Sequence, residues 1–161
     1  MDRFPADKRH AIMRAVKGKN TKPELIVRRM LHRLGFRFRL HRPDLPGRPD
    51  VYLPKHRTAI FVNGCFWHGH EGCKRATIPA TRTEFWAAKI SANKERDRKT
   101  VASLEQVGIR VLVVWTCEMR DESMLENRLR SALGESLNGQ TFEDPRSGSV
   151  ASETDRSSQQ I

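Results

Sequence analysis

The chain has 161 residues, of which 37% are hydrophobic and 30% are charged. That length accommodates one domain and a tail, and the longest apolar run, residues 111–115, is far too short to span a bilayer. The sequence opens without a secretory segment, and its three Cys cannot all pair within one chain. These features disfavour a membrane protein and a secreted disulfide-rich protein, and we expect a protein of the reducing cytoplasm.

Positive charge is concentrated in the first 133 residues. The whole chain carries 30 Lys and Arg against 19 Asp and Glu, a net charge of +11. Residues 134–161 contain five acidic and two basic residues, which leaves a net charge of +14 for residues 1–133. So basic a domain repels itself unless it meets a polyanion, and nucleic acid is the favoured partner. An anionic membrane surface and a basic protein without such a partner are the weaker alternatives.

The composition divides the chain into a domain and a tail. Residues 134–161 are rich in Ser, Gly, Gln and acidic residues and have few apolar side chains to bury, so we expect a disordered acidic tail. The domain then spans residues 1–133. Its first 20 residues are expected to form a basic helix or arm, because Ile12, Met13 and Val16 have near-helical spacing.

The first part of the domain predicts one helix and three strands. Thr21 and Glu24 read as a capping box with Pro23 in the first turn, and the helix that they begin ends at Gly35. Alternating apolar residues predict a strand with one buried face, and a turn-rich loop and a hairpin follow. The predicted strands are residues 36–40, 50–53 and 58–62, with the loop at 43–49 and the hairpin turn at 54–56.

The second part predicts a long helix, a buried strand and a last helix. Residues 63–82 have no periodicity and contain most of the Cys and His. The long helix begins at Thr83 and ends at Gly108, the run of residues 109–115, apolar except for Arg110, is typical of a central strand, and residues 121–133 form the last helix. The apolar residues of the long helix are Phe85, Ile90, Val101, Leu104 and Val107, and the first four are predicted to form its core face. This order predicts an α/β domain around one mixed sheet, with the long helix as a right-handed crossover between parallel strands.

Four Cys and His residues could form a tetrahedral Cys₃His zinc site. The candidate ligands are Cys65, His70, Cys73 and Cys117. Zinc favours thiolate and imidazole, and a structural site uses four such ligands. The loop that carries three of them has almost no apolar residues to fix it, and zinc binding would supply that stability. The alternative is that Cys117 is a buried apolar Cys and the other three are incidental.

Asp50 and His68 are candidates for phosphodiester chemistry. Asp50 begins a predicted strand whose hairpin partner ends at Val62, and a carboxylate at a sheet edge is suited to Mg²⁺. The alternative for Asp50 is a solvated or capping residue. His68, as a neutral imidazole, could take a proton from water, or it could compete as a zinc ligand or lie on the surface.

Aromatic side chains in polar surroundings suggest contact with DNA bases. Trp86, Lys89, Asn93 and Asp97 share one stripe of the long helix, and Phe66 and Trp67 are adjacent in the polar loop. Large apolar side chains on a basic framework can wedge between base pairs and kink a duplex. The alternatives are that Trp86 belongs to the core and that Phe66 or Trp67 packs against the zinc loop.

Five motifs together resemble the very-short-patch repair (Vsr) endonucleases. They are LPGRPD at 45–50, FVNGCFWH at 61–68, PATRTEFW at 79–86, ERDR at 95–98 and VVW with Cys117 at 113–117. The resemblance runs from about residue 8 to residue 120. It implies a restriction-endonuclease-like single domain and a zinc-stabilised, Mg²⁺-dependent endonuclease of the bacterial cytoplasm. The family nicks one DNA strand 5′ of the thymine in a T:G mismatch left when 5-methylcytosine deaminates.

The resemblance also implies roles for individual residues. Asp50 is the metal-binding carboxylate, His68 the general base, and Glu24 and Asp97 orient metal-bound waters. The residues that match the zinc ligands are Cys65, His70, Cys73 and Cys117. Those that match the aromatic wedge are Phe66, Trp67 and Trp86, and those that match groove contacts are Lys89 and Asn93.

The chain departs from the family pattern at two neighbouring positions. A Thr whose backbone carbonyl binds the metal is Val62 here, and the ligand is expected to survive because a carbonyl does not depend on the side chain. The His that follows is Asn63, which can donate a hydrogen bond to the phosphate but carries no charge. We keep two alternatives open: a zinc-braced DNA-binding protein with weak or no hydrolysis, and a related nuclease with another lesion or sequence preference. A monomer on double-stranded DNA is expected, with mismatch-repair proteins as candidate partners.

Overall fold

A computed structural model of the chain describes residues 19–134. The predicted N-terminal helix or arm lies outside the described residues except for residues 19 and 20. The predicted acidic tail lies outside them except for residue 134. Three helices are present, α1 (Lys22–Arg33), α2 (Thr83–Gln106) and α3 (Glu122–Leu133). The strands are β1 (Arg39–Leu40), β2 (Val51–Leu53), β3 (Thr58–Asn63) and β4 (Arg110–Trp115). Short 3₁₀ turns at Lys74–Ala76 and Thr116–Arg120 complete the regular structure of this part of the chain.

The strands form one mixed sheet in the order β1-β2-β3-β4. β1 and β2 pair antiparallel, as do β2 and β3, whereas β3 and β4 are parallel from Thr58 opposite Arg110 to Asn63 opposite Trp115. Helix α2 connects the two parallel strands. The predicted mixed α/β sheet and its crossover helix are therefore confirmed, and no helix of residues 19–134 is long and apolar enough to cross a membrane.

Helices α1 and α3 pack with the sheet in the larger of two apolar clusters. Val27 and Leu31 of α1 meet Leu125 and Leu129 of α3 and the fully buried Ile60 of β3 in this cluster. Each such side chain contributes about 1.5–3 kcal/mol when it leaves water. The smaller cluster joins α2 to the sheet through Leu104, Ala59 and Ile109. β3 and β4 are thus buried between helices, which fixes the ends of both strands.

The predicted strand over residues 36–40 is wrong for its first half. Only Arg39 and Leu40 pair with β2, and both are exposed. Phe36 instead belongs to the end of α1, where its N–H donates to the carbonyl of Leu31 at 2.9 Å and Gly35, at φ 81°, donates to His32 at 3.0 Å. This is a Schellman motif, and it places the Phe36 ring in the core. The alternation of apolar and basic residues over residues 36–40 therefore reflects the end of a helix followed by a short strand, rather than one continuous strand.

The predicted capping box at the start of α1 is also wrong. Thr21 is the N-cap residue, but its hydroxyl makes no bond to the helix backbone. It donates instead to Oε1 of Glu24 at 2.8 Å, while the N–H of Asn20 donates to Oε2 at 2.9 Å. Bonds to a carboxylate are charge-assisted and stronger than a neutral cap, so the hydroxyl turns toward Glu24.

Helix α2 buries less of its apolar face than its spacing predicts. Ile90 and Leu104 are buried, but Phe85, near the start of the helix, is 46% exposed. The reason is length, because 24 residues of helix extend about 36 Å and a six-residue strand only about 20 Å. The first half of α2 therefore projects past the sheet, where the irregular loop of residues 64–82 covers part of it.

Candidate active site and metal centre

The predicted catalytic residues line one cleft of about 610 Å³ at the ends of β2 and β3. α1 contributes Glu24, β3 contributes Val62 and Asn63, and α2 contributes Asp97 to its wall. Asp50, immediately before β2, and His68, in the loop after β3, complete this group. Three basic residues, Lys19, Arg48 and Arg96, line the same cleft, so its surroundings favour an anionic ligand.

Asp50 is held by the neighbouring strand. The N–H of Val62 donates to its Oδ2 atom at 2.8 Å. The pKa of Asp50 lies above its ordinary value, and burial of the carboxyl group is the main cause. The hydrogen bond from Val62 lowers this pKa, whereas the nearby charge of Glu24 raises it further. The N–H and C=O of one strand residue point to the same side, so the Val62 carbonyl also faces the edge where Asp50 lies. This edge presents two oxygen donors, the ligand type that Mg²⁺ prefers.

His68 and Asp97 form a hydrogen-bonded pair. Nδ1 of His68 lies 2.5 Å from Oδ2 of Asp97. A carboxylate accepts at Nδ1, so in the neutral ring the lone pair remains on Nε2. His68 is not among the clustered zinc-type ligands, which removes the alternative that it competes for that site. The pair has the arrangement of a general base oriented by an acid.

Glu24 is 4% exposed and is bonded at both oxygens. In addition to Asn20 and Thr21, it accepts from Nη2 of Arg28 at 3.0 Å. The same Nη2 atom lies 3.1 Å from Nε2 of His41, another residue that lines the cleft. Asn63, the departure from the family pattern, is 9% exposed at the end of β3 and borders the cleft.

The four predicted zinc ligands come together. The ligand atoms of Cys65, His70, Cys73 and Cys117 all lie within 4.8 Å of one another. Nδ1 of His70 is 3.4 Å from Sγ of Cys117, and the His70 ring stacks on Trp115 with centroids 4.1 Å apart. The reading of these residues as incidental is therefore wrong, and the cluster is consistent with a structural zinc site.

Two thiols of this cluster have pKa values that are shifted in opposite directions. Burial alone would raise the pKa of Cys65, but hydrogen bonds from Thr116 and His70 outweigh it and lower the pKa to about 7. Burial and the neighbouring Cys65 and Cys73 raise the pKa of Cys117 to about 11. Adjacent thiolates repel one another without a cation, and a thiolate-binding metal removes that repulsion.

The three aromatic residues predicted to act as a wedge form one cluster. Phe66 lies edge-on to Trp67 and Trp86, with centroids 5.3 and 5.4 Å apart, and the two Trp rings are 6.0 Å apart. All three are half-buried, and Trp67 also lines the cleft. Trp86 is therefore not a core residue. Phe85, predicted to be in the core, lies instead against Trp86 at 5.1 Å with the Arg82 guanidinium 4.7 Å above its ring.

Lys89 and Asn93 lie on α2 beside this cluster, but in different surroundings. Lys89 is exposed, with Nζ 5.9 Å from the Phe85 ring centroid. Asn93 donates from Nδ2 to the carbonyl of Trp67 at 2.8 Å, and its Oδ1 accepts from Arg96 at 3.1 Å. Asn93 therefore ties the loop that carries Trp67 to α2.

Comparison with known proteins decides the family. The family model described as DNA mismatch endonuclease Vsr matches residues 1–75. The type II nicking enzyme V.XorIIP of Xanthomonas oryzae pv. oryzae is 50% identical over 132 residues, which cover 82% of this chain and 96% of that protein. The type II nicking enzyme V.NmeAIP of Neisseria meningitidis is 41% identical over 134 residues, 83% of this chain and 95% of that protein. The DNA mismatch endonuclease Vsr of Escherichia coli K12 is 42% identical over 129 residues, 80% and 82% of the two chains.

The chain belongs to the Vsr DNA mismatch endonuclease family. It is a DNA endonuclease of the nicking type, and DNA is its substrate. The basic surroundings of the cleft, with Arg48 and Arg96 in its wall, agree with a polyanionic substrate.

The sequence did not single out His41, which lines the cleft, or Arg28, which contacts it. Arg28 carried a signal, because it lies four residues after Glu24 on one helix, the spacing at which opposite charges pair. His41 carried none, since it lies in a loop without periodicity and reaches Arg28 across 13 residues of sequence.

Proposed function

We propose that this Vsr-family enzyme nicks one strand 5′ of the thymine in T:G mismatches that arise from deaminated 5-methylcytosine, and so initiates very short patch repair. One observation carries the proposal: the His68–Asp97 pair and Asp50 line a single cleft that Trp67 of the aromatic cluster also lines. The residue proposed to unstack bases and the residues proposed to activate water therefore line the same cleft. A zinc-braced DNA-binding protein without hydrolysis would not need the water-activating pair.

Asp50 and the backbone carbonyl of Val62 are proposed to hold a catalytic Mg²⁺. The fit rests on the donor set, since both are oxygens at one strand edge and Oδ2 of Asp50 is already oriented by the Val62 N–H at 2.8 Å. When bound, Mg²⁺ would polarise the phosphate and stabilise the leaving oxygen.

His68 is proposed to accept a proton from the attacking water at Nε2. Asp97 accepts at Nδ1, 2.5 Å away, which orients the ring and stabilises the imidazolium that forms. Glu24 and Asp97 are proposed to orient water molecules in the cleft through the lone pairs that their protein partners leave free. Asn63 is proposed to donate its amide N–H to the phosphate, a contact without the charge of the His that the family pattern has there.

The aromatic cluster is proposed to recognise the mismatch. Phe66, Trp67 and Trp86 would wedge into the duplex, and a T:G pair is cheaper to unstack than a matched pair. Lys89 is proposed to contact the groove. Asn93 is proposed to do so after it releases the Trp67 carbonyl, or to act by holding Trp67 in place.

A structural zinc is proposed at Cys65, His70, Cys73 and Cys117. Cys65 and His70 flank the segment that carries Phe66, Trp67 and His68, Cys73 follows in the same loop, and Cys117 follows β4. Zinc binding would therefore stabilise the loop that performs both recognition and proton transfer.

Residues 1–133 are proposed to be the complete monomeric nuclease domain, and residues 134–161 a dispensable tail.

A second candidate is nicking at another lesion or in another sequence context with the same chemistry. The observation that favours it is that two of the three relatives described above are named type II nicking enzymes.

One experiment separates these functions. The full chain with Mg²⁺ is incubated with end-labelled duplexes that differ only in a T:G or T:A pair, each in several flanking sequences, with Asp50→Asn as the inactive control. We expect a nick 5′ of the mismatched T. Equal cleavage of matched duplexes would favour the second candidate, and binding without cleavage would favour the DNA-binding alternative.

A further inference from the structure

Arg28, to which none of the roles proposed above is assigned, is the centre of a hydrogen-bonded network that includes Glu24. The residue is 9% exposed on α1. Nη1 donates to Oδ1 of Asn20 at 2.7 Å, and Nη2 donates to Oε2 of Glu24 at 3.0 Å. Nη2 also lies 3.1 Å from Nε2 of His41. Among residues 19–134, Nε of Arg28 is the one buried side-chain nitrogen or oxygen without a hydrogen-bond partner. The guanidinium is thus kept in place by its contacts to Glu24 and His41 despite this cost.

The contact with Arg28 fixes the protonation pattern of His41. A guanidinium only donates hydrogen bonds, so Nε2 of His41 must accept. The ring is then neutral, with its single proton on Nδ1. His41 lines the catalytic cleft, and within the described part of the chain no residue accepts a hydrogen bond from its Nδ1. The geometry therefore leaves one N–H donor without a protein partner at a cleft that also contains Arg48 and Arg96.

We propose that His41 is a phosphate-binding residue, whose Nδ1–H donates to a non-bridging oxygen of the DNA phosphodiester in the cleft, and that Arg28 is the positioning residue that fixes its tautomer. This inference rests on the proposed nuclease site. Asp50 is close to His41, so a donor at this position would bind phosphate beside the proposed metal ligand.

The tautomer is tested without any activity. Long-range ¹H–¹⁵N NMR spectra of the full chain distinguish a protonated from an unprotonated ring nitrogen, and the His41→Asn variant assigns the His41 signals. We expect an unprotonated Nε2 in the wild type and mixed tautomers in Arg28→Met. Arg29→Met, which removes the same charge from an exposed neighbouring position, should leave the spectrum unchanged. An Arg28→Met spectrum identical to that of the wild type would overturn the positioning role.

The phosphate contact is tested by two amide substitutions. The Asn amide lies where Nδ1 of His lies, and the Gln amide reaches the position of Nε2. At saturating Mg²⁺ we expect His41→Asn to retain single-turnover nicking of a T:G duplex within about 5-fold, and His41→Gln and His41→Ala to lose about 10- to 100-fold, the range for a hydrogen bond to a charged group. Full activity of His41→Gln with loss in His41→Asn would overturn the proposal. The proposal would also be overturned if the variants changed only the Mg²⁺ concentration that nicking requires. That result would indicate that the His41 N–H acts on Asp50 rather than on the phosphate. A wild-type chain that nicks neither duplex would refute the proposed function, while the NMR result would still decide the Arg28–His41 relationship.

Discussion

Nδ1 of His68 lies 2.5 Å from Oδ2 of Asp97, a residue 29 positions further along the chain. The bond joins the loop that follows β3 to the middle of the crossover helix α2. The proposed general base is therefore oriented by an element other than the loop that carries it. The geometry of the His68–Asp97 pair depends on the correct docking of α2, a helix in which only Ile90 and Leu104 are buried.

Replacing Asp97 by Asn should reduce chemistry without reducing DNA affinity. The amide keeps the shape but removes the charge that orients His68 and stabilises its protonated form, so single-turnover nicking should fall about 10²- to 10⁴-fold. Quenched-flow nicking and equilibrium binding of the same duplex measure the two effects. The matched control is Glu95→Gln on the same helix, which removes an exposed carboxylate paired with Arg98 and should leave the rate unchanged. A parallel loss of affinity in the Asp97 variant would argue against an orienting role.

Replacing Asp50 by Asn should abolish nicking and yet stabilise the fold. Loss of a metal-binding carboxylate should cost several kcal/mol in the transition state, roughly 10³-fold or more in rate. Burial raises the pKa of Asp50 in the folded chain, so its ionised form destabilises the fold at neutral pH. Without added Mg²⁺, the variant should therefore melt at a higher temperature than the wild type at pH 7. The difference should vanish as the pH falls below the ordinary pKa of Asp, where the side chain is protonated in both states. A variant that melts lower at pH 7 would contradict this account of Asp50.

The fold and much of the site followed from local patterns. Gly35 ends α1 and Gly108 follows α2 as expected, and the apolar run of residues 109–115 contains β4. The zinc-type ligands were predictable because thiol and imidazole side chains have few other roles in a loop without apolar residues. These features depend on neighbours in sequence, which a single sequence displays.

The contacts that sequence could not supply are those between distant polar groups. The Thr21 hydroxyl had two acceptors available, the helix backbone and Glu24, and only the folded geometry decides between them. The bond from Asn93 to the Trp67 carbonyl likewise depends on how α2 crosses the loop. Phe85 had the spacing of a core residue, but the position along α2 at which the sheet ends left it exposed.

Replacing Cys117 by Ser should remove zinc and loosen the catalytic loop. Binding energy at such a site is folding energy, so we expect a loss of about 3 kcal/mol or more, roughly a 10 °C fall in melting temperature for a chain of this size. Elemental analysis of the purified wild type should find about one zinc per chain. Cys117→His, which restores a zinc ligand, should recover part of the loss. A zinc-free wild type with full activity would exclude the site.

Replacing Trp67 by Ala should weaken binding to mismatched DNA more than to matched DNA. Base–aromatic stacking is worth about 1–3 kcal/mol, whereas binding of a matched duplex is mainly phosphate contact. Affinities for T:G and T:A duplexes are compared at one salt concentration, together with melting temperatures. Phe85→Ala is the matched control, since it removes an aromatic ring that contacts Trp86 but does not line the cleft. Equal losses on both duplexes with a lowered melting temperature would show that Trp67 is a packing residue.

The parallel pairing of β3 with β4 affects the order in which the molecule is made. Asn63 and Trp115 are opposite each other at the ends of these strands, and the first and last zinc-type ligands follow each strand by two residues. During synthesis, a nascent chain that has exposed Cys65, His70 and Cys73 offers three ligands and an open fourth position. That position closes only when α2, β4 and Cys117 have left the ribosome, 44 residues after Cys73. We therefore expect the loop that carries His68 to become rigid only after the whole parallel pair has been translated, so that no partial chain bound to a ribosome can cut DNA.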